Sequence, residues 1–262
     1  MKLFAFTIDL EADYDGVVDK YEIFKEEHKI EEVLSALCSL DVKITVFIVG
    51  EIFELFPEVI KVFEKYNCEF EAHSYTHNFN NPDSEFEIEK AKTAYFNYFK
   101  RYPLGYRAPR GKISESGIMS LQKHGFLYDS SIFPSYFPDP FRYLLRNRNI
   151  HYFGNSQIME IPITSLSPFR LTLSLSFIKL FGLRFYKMLS LPNIICFGSH
   201  LHDYIHNERS FQKLPLSQKL IYRRNKFHGV DLCVKFLQHV KKKGYRFCYM
   251  SEVYDTYKTV LT

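Results

Sequence analysis

Apolar positions along this chain fall into two kinds of stretch. Short runs such as Leu3–Ile8 and Lys43–Gly50 are β-branched or aromatic at nearly every position, as strands buried on both faces require. Between the runs, apolar residues recur three and four apart. Val33, Leu34, Leu37 and Leu40 mark one helical face, and Val230, Val234, Leu237 and Val240 mark another. The punctuation agrees. Pro57 opens a helix through Val59, Ile60 and Phe63. Ser84-Glu-Phe-Glu87 reads as a capping box for a helix reaching about Phe99. A helix from about Ser114 ends at Gly125, and Gly244 stops the helix Gly229–Lys243. With Cys68–Ala72, Gly105–Arg107, Phe126–Asp129, Ile158–Ile163, Ile194–Ser199 and Tyr245–Met250, about eight strands alternate with helices. This is the pattern of a parallel α/β protein.

Polar groups cluster where the strands stop: Asp9 and Glu11, His73 and His77, Arg107, Asp129, Glu160, His200 and His202. A doubly wound sheet gathers polar groups at one or two strand ends, whereas a barrel gathers them around its carboxyl rim. The expected fold is therefore a distorted (β/α)7-type barrel, with the catalytic residues at the carboxyl ends of the strands. Residues 1–262 read as a single domain. Two stretches interrupt the alternation and read as loop or cap insertions. Residues 130–152 are rich in proline, aromatic residues and arginine. Residues 165–191 mix strand-like alternation with helical spacing and carry Arg170, Lys179, Arg184 and Lys187. Those cations exclude a membrane span. The second stretch suits a lid packed on the barrel or, less favoured, a segment lying on a membrane surface.

Two imidazoles four residues apart at a strand end, His73 and His77, can close on one metal ion. Asp9 and Glu11 then offer a carboxylate ligand with a second carboxylate left as a base, the equipment of a metal-assisted hydrolase. Composition adds three constraints. Phe 26 and Tyr 19 with no Trp provide many aromatic faces for a core or a sugar-binding cleft. A net charge of +4, with its basic residues scattered through the C-terminal half, is too weak to imply nucleic acid. The 5 cysteines are widely spaced within apolar runs, which suits a reducing compartment. The N-terminal run becomes acidic too early for a signal peptide, so a cytoplasmic protein is expected. No phosphate-binding loop or dinucleotide fingerprint occurs.

Taken in order, the motifs resemble those of the polysaccharide deacetylases, the carbohydrate esterases with a nodulation-deacetylase-like domain. They are Thr7-Ile8-Asp9-Leu10-Glu11, His73-Ser74-Tyr75-Thr76-His77, Arg107-Ala108-Pro109 followed by Arg110-Gly111, Tyr128-Asp129-Ser130-Ser131, and Ser199-His200-Leu201-His202-Asp203. The resemblance spans most of residues 1–250. It implies one divalent metal ion, zinc by preference, on Glu11, His73 and His77. Asp9 would be the general base, held by Arg107, with the backbone N–H of Arg110 stabilising the oxyanion. His200 would be the general acid, with His202 as its competitor, and Glu160 would orient it. Leu10 stands where the family usually has its second aspartate, so Glu11 must serve from a shifted position. The implied reaction is removal of an N-acetyl group from an amino sugar. A nucleotide-linked, lipid-linked or oligosaccharide intermediate of surface polysaccharide synthesis is expected, met in the cytoplasm with peripheral membrane contact through 165–191. Two alternatives stand beside it: a cytoplasmic hydrolase of a small non-peptide C–N substrate with the same fold, and a catalytically degenerate sugar-binding barrel.

Overall fold

The strand β1, Leu3–Leu10, is buried along its whole length. It is parallel to three other strands, which is what a run with no polar face demands. In chain order the remaining strands are β2 (Ile44–Ile48), β3 (Glu69–Ala72), β4 (Gly105–Tyr106), β5 (Tyr128–Asp129), β6 (His151–Tyr152), β7 (Met159–Glu160), β8 (Ser165–Leu166), β9 (Leu171–Thr172), β10 (Ile194–His200) and β11 (Arg246–Cys248). This is a computed structural model, and it describes all residues except 19, 136–144, 168 and 262. The main sheet runs β10-β1-β2-β3-β4-β5-β7-β6, and β8 and β9 form a separate hairpin. One edge of β1 is divided: Leu3–Ala5 pair with β11, and Phe6–Leu10 pair with β2. Within the main sheet only β6 and β7 are antiparallel. Beyond β7 the chain returns to β10, where the N–H of Thr164 donates to the carbonyl of Cys196 at 2.9 Å. The sheet thus curls into the distorted barrel expected from the sequence.

The pleat sorts side chains between two cores. Phe4, Phe6, Ile8 and Leu10 join Ile44, Val46, Ile48, Ile195 and Phe197 in the outer core under the helices. Leu3, Ala5, Phe47 and Cys196 join Tyr128, Met159 and Ile161 in the inner core. Because side chains alternate with period two, Thr7 and Asp9 belong to the inner face of β1. Among the described residues the helices of six residues or more are α1 (Glu27–Cys38), α2 (Pro57–Glu64), α3 (Glu85–Phe99), α4 (Glu115–Lys123), α5 (Leu175–Phe181), α6 (Leu183–Met188), α7 (Glu208–Lys213), α8 (Leu216–Tyr222), α9 (Gly229–Lys242) and α10 (Met250–Leu261). The 5 cysteines are free thiols, and those of β10, α9 and β11 are buried as small apolar groups.

Two expectations change. The run Ile158–Ile163 supplies only a two-residue strand, β7: Ile161 N–H still donates to Asp129 O of β5, but Ile163 N–H turns to the loop carbonyl of Ile132, both at 2.8 Å. The stretch 165–191, read as a loop or cap insertion, takes regular structure. Its described residues form the β8–β9 hairpin and the helices α5 and α6, and α5 packs in the outer layer against β10, α8 and α9. The apolar spacing is spent on that outer layer, with Leu175 and Ile178 fully buried. In the other interrupted stretch, 130–152, residues 136–144 lie outside the described residues.

Phe197 sits among Phe4, Phe6 and Phe236, with ring centroids at 5.6, 5.4 and 5.6 Å. F197A should therefore lower unfolding stability by about 3–5 kcal/mol, the usual cost of emptying a buried aromatic site. Denaturant titration of the apoprotein measures this. A loss below about 1 kcal/mol would show that the outer core relaxes into the space.

Candidate metal centre

β1 positions the first motif by its pleat. Asp9 faces the barrel interior, Leu10 joins the outer core, and Glu11 returns to the inner side. The side chain that can reach the centre is therefore the one two residues after Asp9, which is why an Asp-x-Glu spacing works with an apolar residue between. The second motif leaves β3 at Ala72 and turns sharply, with φ of 57° at both Ser74 and His77. Three groups hold the turn. Gly50 N–H donates to Ser74 O at 2.9 Å, and Glu51 N–H donates to Tyr75 O at 3.0 Å. A Cβ on Gly50 would fall 2.6 Å from the Tyr75 ring, so only glycine permits this approach. The third group is Glu87, and it corrects the capping-box reading. Ser84 caps α3 as expected, but the Glu87 carboxylate accepts the N–H groups of Tyr75 and Thr76, each at 2.8 Å, and the Thr76 hydroxyl at 2.5 Å.

The turn delivers both imidazoles to Glu11. Its Oε2 lies 3.1 Å from His73 Nε2 and 2.7 Å from His77 Nε2, and all three side chains are buried. His73 Nδ1 lies 2.8 Å from the carbonyl oxygen of Arg107 and must donate to it. In a neutral ring this leaves Nε2 as a lone pair aimed at a carboxylate. Two acceptors 3.1 Å apart need a positive charge between or on them, whether a proton or a metal ion. Glu11 Oε1 and His77 Nε2 are buried with no hydrogen-bond partner among the described residues. Burial would raise the Glu11 pKa, but His77 and His73 outweigh it and hold the carboxyl well below its ordinary range. The donors are those of a divalent-metal site, and they fit an ion of the zinc type.

Asp9 lies beside this cluster. Its Oδ1 accepts from Arg107 Nη1 at 2.5 Å, and its Oδ2 faces His200 Nε2 at 3.6 Å. Arg107 is held in turn. Its Nη1 donates to Thr7 Oγ1 at 2.8 Å, and its Nε and Nη2 donate to the carbonyl and hydroxyl of Ser130, each at 3.0 Å. The guanidinium lies 4.0 Å from the Phe47 ring centroid. Arg110 follows on a short 3-10 turn, Pro109–Gly111, with φ of 53° and its guanidinium over the Phe79 ring. Phe79 in turn meets the edge of His77.

His200 and His202 both come to the rim. His200 Nε2 faces Asp9, Glu11 and Asp15, and Asp203 Oδ2 lies 3.5 Å from its Nδ1 while accepting its backbone N–H at 3.1 Å. Asp203, not Glu160, is therefore the carboxylate beside His200 Nδ1. Glu160 accepts the N–H of Ile132 at 2.9 Å and lies beside Asp129; burial and that neighbour push its pKa well up. α5 braces Asp203: Ser176 Oγ donates to it at 2.8 Å, and Lys179 Nζ donates to its carbonyl at 2.8 Å. Asp15, Glu87 and Asp203 were not among the residues singled out for the chemistry. Asp203 stood within the quoted Ser199–Asp203 run, whereas Asp15 lies in an irregular stretch with no periodicity to place it.

E87A should weaken metal binding by roughly 10- to 100-fold, as removal of groups that support ligands commonly does. Competition against a chromogenic chelator measures it. Unchanged affinity would show that the turn holds its shape without Glu87.

Comparisons with known proteins bear on this geometry. Residues 15–128 match the polysaccharide deacetylase family model, a span that includes His73, His77 and Arg107. A peptidoglycan deacetylase-like protein, FGM2, of Gibberella zeae is 33% identical over 94 residues, covering 34% of this chain and only 28% of that relative. A Mycobacterium smegmatis structure designated a candidate polysaccharide deacetylase shares the fold with a TM-score of 0.64 at 18% identity, covering 99% of this chain and 91% of the other. PuuE allantoinase shares it with a TM-score of 0.64 at 12% identity, covering 97% and 89%. The ordered motifs resemble those of the polysaccharide deacetylases, residues 15–128 match that family's model, and the fold is shared with the solved structures above.

Proposed function

We propose that this chain is a metal-dependent hydrolase that removes the acetyl group from an N-acetylated amino sugar. One observation carries the reading: Asp9 Oδ2 and His200 Nε2 face each other at 3.6 Å beside the Glu11–His73–His77 cluster. A base and an acid thus flank one candidate metal position. A divalent ion there, zinc by preference, supplies Lewis-acid polarisation of the acetyl carbonyl and acidifies water. Asp9 takes the proton of the attacking water. Arg107 fixes Asp9 through Oδ1 and leaves Oδ2 for that task. The Arg110 backbone N–H is the proposed donor to the oxyanion. His200 protonates the departing amine, with Asp203 holding the ring. Burial alone would lower the His200 pKa, but Asp15, Asp203, Glu11 and Asp9 outweigh it and hold it well above the ordinary value. That shift favours the protonated ring, the form an acid needs.

The substrate belongs to the same proposal. A nucleotide-linked or lipid-linked sugar of surface polysaccharide assembly is supported by the basic and apolar outer face near α6 and α8. There Met188, Leu216, Leu220 and Phe227 are exposed among Arg184, Lys187 and Arg223. Such a face suits an anionic bilayer surface. No helix among the described residues is long and apolar enough to cross a membrane. The alternative reading is a hydrolase of a small C–N substrate with the same fold, which a closed pocket would suit better than the open groove a glycan needs. Acetate release from N-acetyl sugars and oligomers, compared with turnover of small amides and cyclic ureides, separates the two. Turnover of neither class at full metal loading would sink both and leave the degenerate sugar-binding barrel.

D9N should lower turnover by roughly 10²- to 10⁴-fold while metal content stays near that of the wild type. E11A should lose the metal. If D9N loses its metal and E11A keeps it, the two roles are reversed. H200A should lose turnover and keep the metal, with H202A milder. Since the acid works only when protonated and its pKa is raised, wild-type turnover should fall on the alkaline side. D203N removes one group that raises the pKa and should move that fall to lower pH. An unmoved alkaline limb in the kcat profile would assign it to another group.

A further inference from the structure

We infer that Asp15, His200 and His202 form a second divalent-cation site beside the Glu11–His73–His77 centre, and that a cation held there withdraws His200 from its role as acid. The second half of this inference rests on the proposed acid role of His200; the site itself does not. Asp15 Oδ1 lies 3.4 Å from His200 Nε2 and 3.7 Å from His202 Nε2. The three donor atoms all lie within 4.8 Å of one another. With metal–ligand bonds of 2.0–2.1 Å, neighbouring donors of a tetrahedral site stand about 3.3 Å apart. The observed spacings are close to that edge and longer than ordinary N–H···O hydrogen bonds.

The donors are held for the task. His202 is buried, with 4% of its surface exposed, and its Nε2 and Asp15 Oδ1 have no hydrogen-bond partner among the described residues. Tyr14 stacks on the His202 ring at 5.0 Å, and Tyr222 meets it edge-on at 5.0 Å. The Tyr222 hydroxyl donates to Asp15 Oδ2, which fixes the carboxylate and leaves Oδ1 toward the imidazoles. His200 and His202 lie with their rings nearly parallel, 11° apart, and the Nε2 atoms of both face Asp15 Oδ1. A fourth donor is at hand. Glu11 Oε2 serves His73 and His77, while Glu11 Oε1 has no hydrogen-bond partner among the described residues and lies 3.9 Å from His200 Nε2. That carboxylate is placed to bridge the two sites, as in paired-metal hydrolases. Here the second ion takes the lone pair of His200 Nε2, the atom that would carry the proton to the leaving amine. Excess metal is therefore inhibitory.

The probe is Zn²⁺, counted by equilibrium dialysis and elemental analysis on the full chain. Wild type should bind two Zn²⁺ per chain at saturation, and H202Q and D15N one each. The tightly bound first ion and an unchanged near-ultraviolet circular dichroism spectrum show that the variants are folded. Crystals soaked in Co²⁺ should give a second anomalous peak on His200 and His202 Nε2 in the wild type, absent in H202Q. Raising Zn²⁺ beyond one equivalent should depress wild-type deacetylation by roughly 10²-fold or more, the share a general acid supplies, and H202Q should escape that inhibition. One ion per wild-type chain, or two per H202Q chain, overturns the site. Two ions with no inhibition overturn its effect on His200. A chain that binds two ions but releases no acetate under any metal loading sinks the deacetylase reading and leaves the site standing.

Discussion

A guanidinium inside the barrel sets the geometry of everything near it. Arg107 is almost wholly buried, and a charge so placed is stable only when its donors are paired. Its partners come from four strand regions: Thr7 and Asp9 from β1, Ser130 after β5, the Cys196 sulfur from β10, and the Phe47 face from β2. The carbonyl of Arg107 also receives Nδ1 of His73. One residue therefore orients the proposed base by its side chain and a metal-binding imidazole by its backbone. Loss of Arg107 would leave Asp9 as a buried carboxylate with only His200 nearby to answer its charge, so the residue serves stability and chemistry together.

Negative charge accumulates at the rim for the same reason that a cation is wanted there. Asp9, Glu11, Asp15 and Asp203 converge on His200 within 3.9 Å. Lys179 answers part of that charge from behind Asp203, and Arg107 answers part from below Asp9. Glu11 has imidazoles only, which are neutral or charged according to pH. A bound divalent ion is the partner that would neutralise it at any pH where the protein folds. In the buried Asp129–Glu160 pair, burial and mutual repulsion push the Glu160 pKa well up, whereas the neighbouring imidazoles hold that of Glu11 well down.

The outer layer contributes indirectly. α5 belongs to a stretch that reads as an insertion, yet its Ser176 and Lys179 brace Asp203 under His200. α3 carries Glu87 to the metal-binding turn in a similar way. In both cases a helix packed for apolar reasons brings one polar group to the back of the site.

Much of this was legible in the chain. Periodicity and punctuation placed β1, β2, α2, α3 and the barrel, because burial on two faces or one stripe leaves a repeating mark. The spacing of Asp9 and Glu11, and of His73 and His77, placed the metal cluster, because a strand's pleat and a tight turn act over a few residues. What the chain could not show was partnership across distance. Glu160 ends a strand much as Asp9 does, but its neighbour is Asp129 and not His200, since the barrel's circular order puts β5 beside β7 and β1 beside β10. Glu87 fits a local capping box, yet the turn after β3 offers unpaired N–H groups that bind its carboxylate instead. Asp15 has no pattern at all, and only the return of the chain through His200, His202 and Tyr222 gives it a role. Local order is written in repeats; which polar groups meet is decided by where the barrel closes.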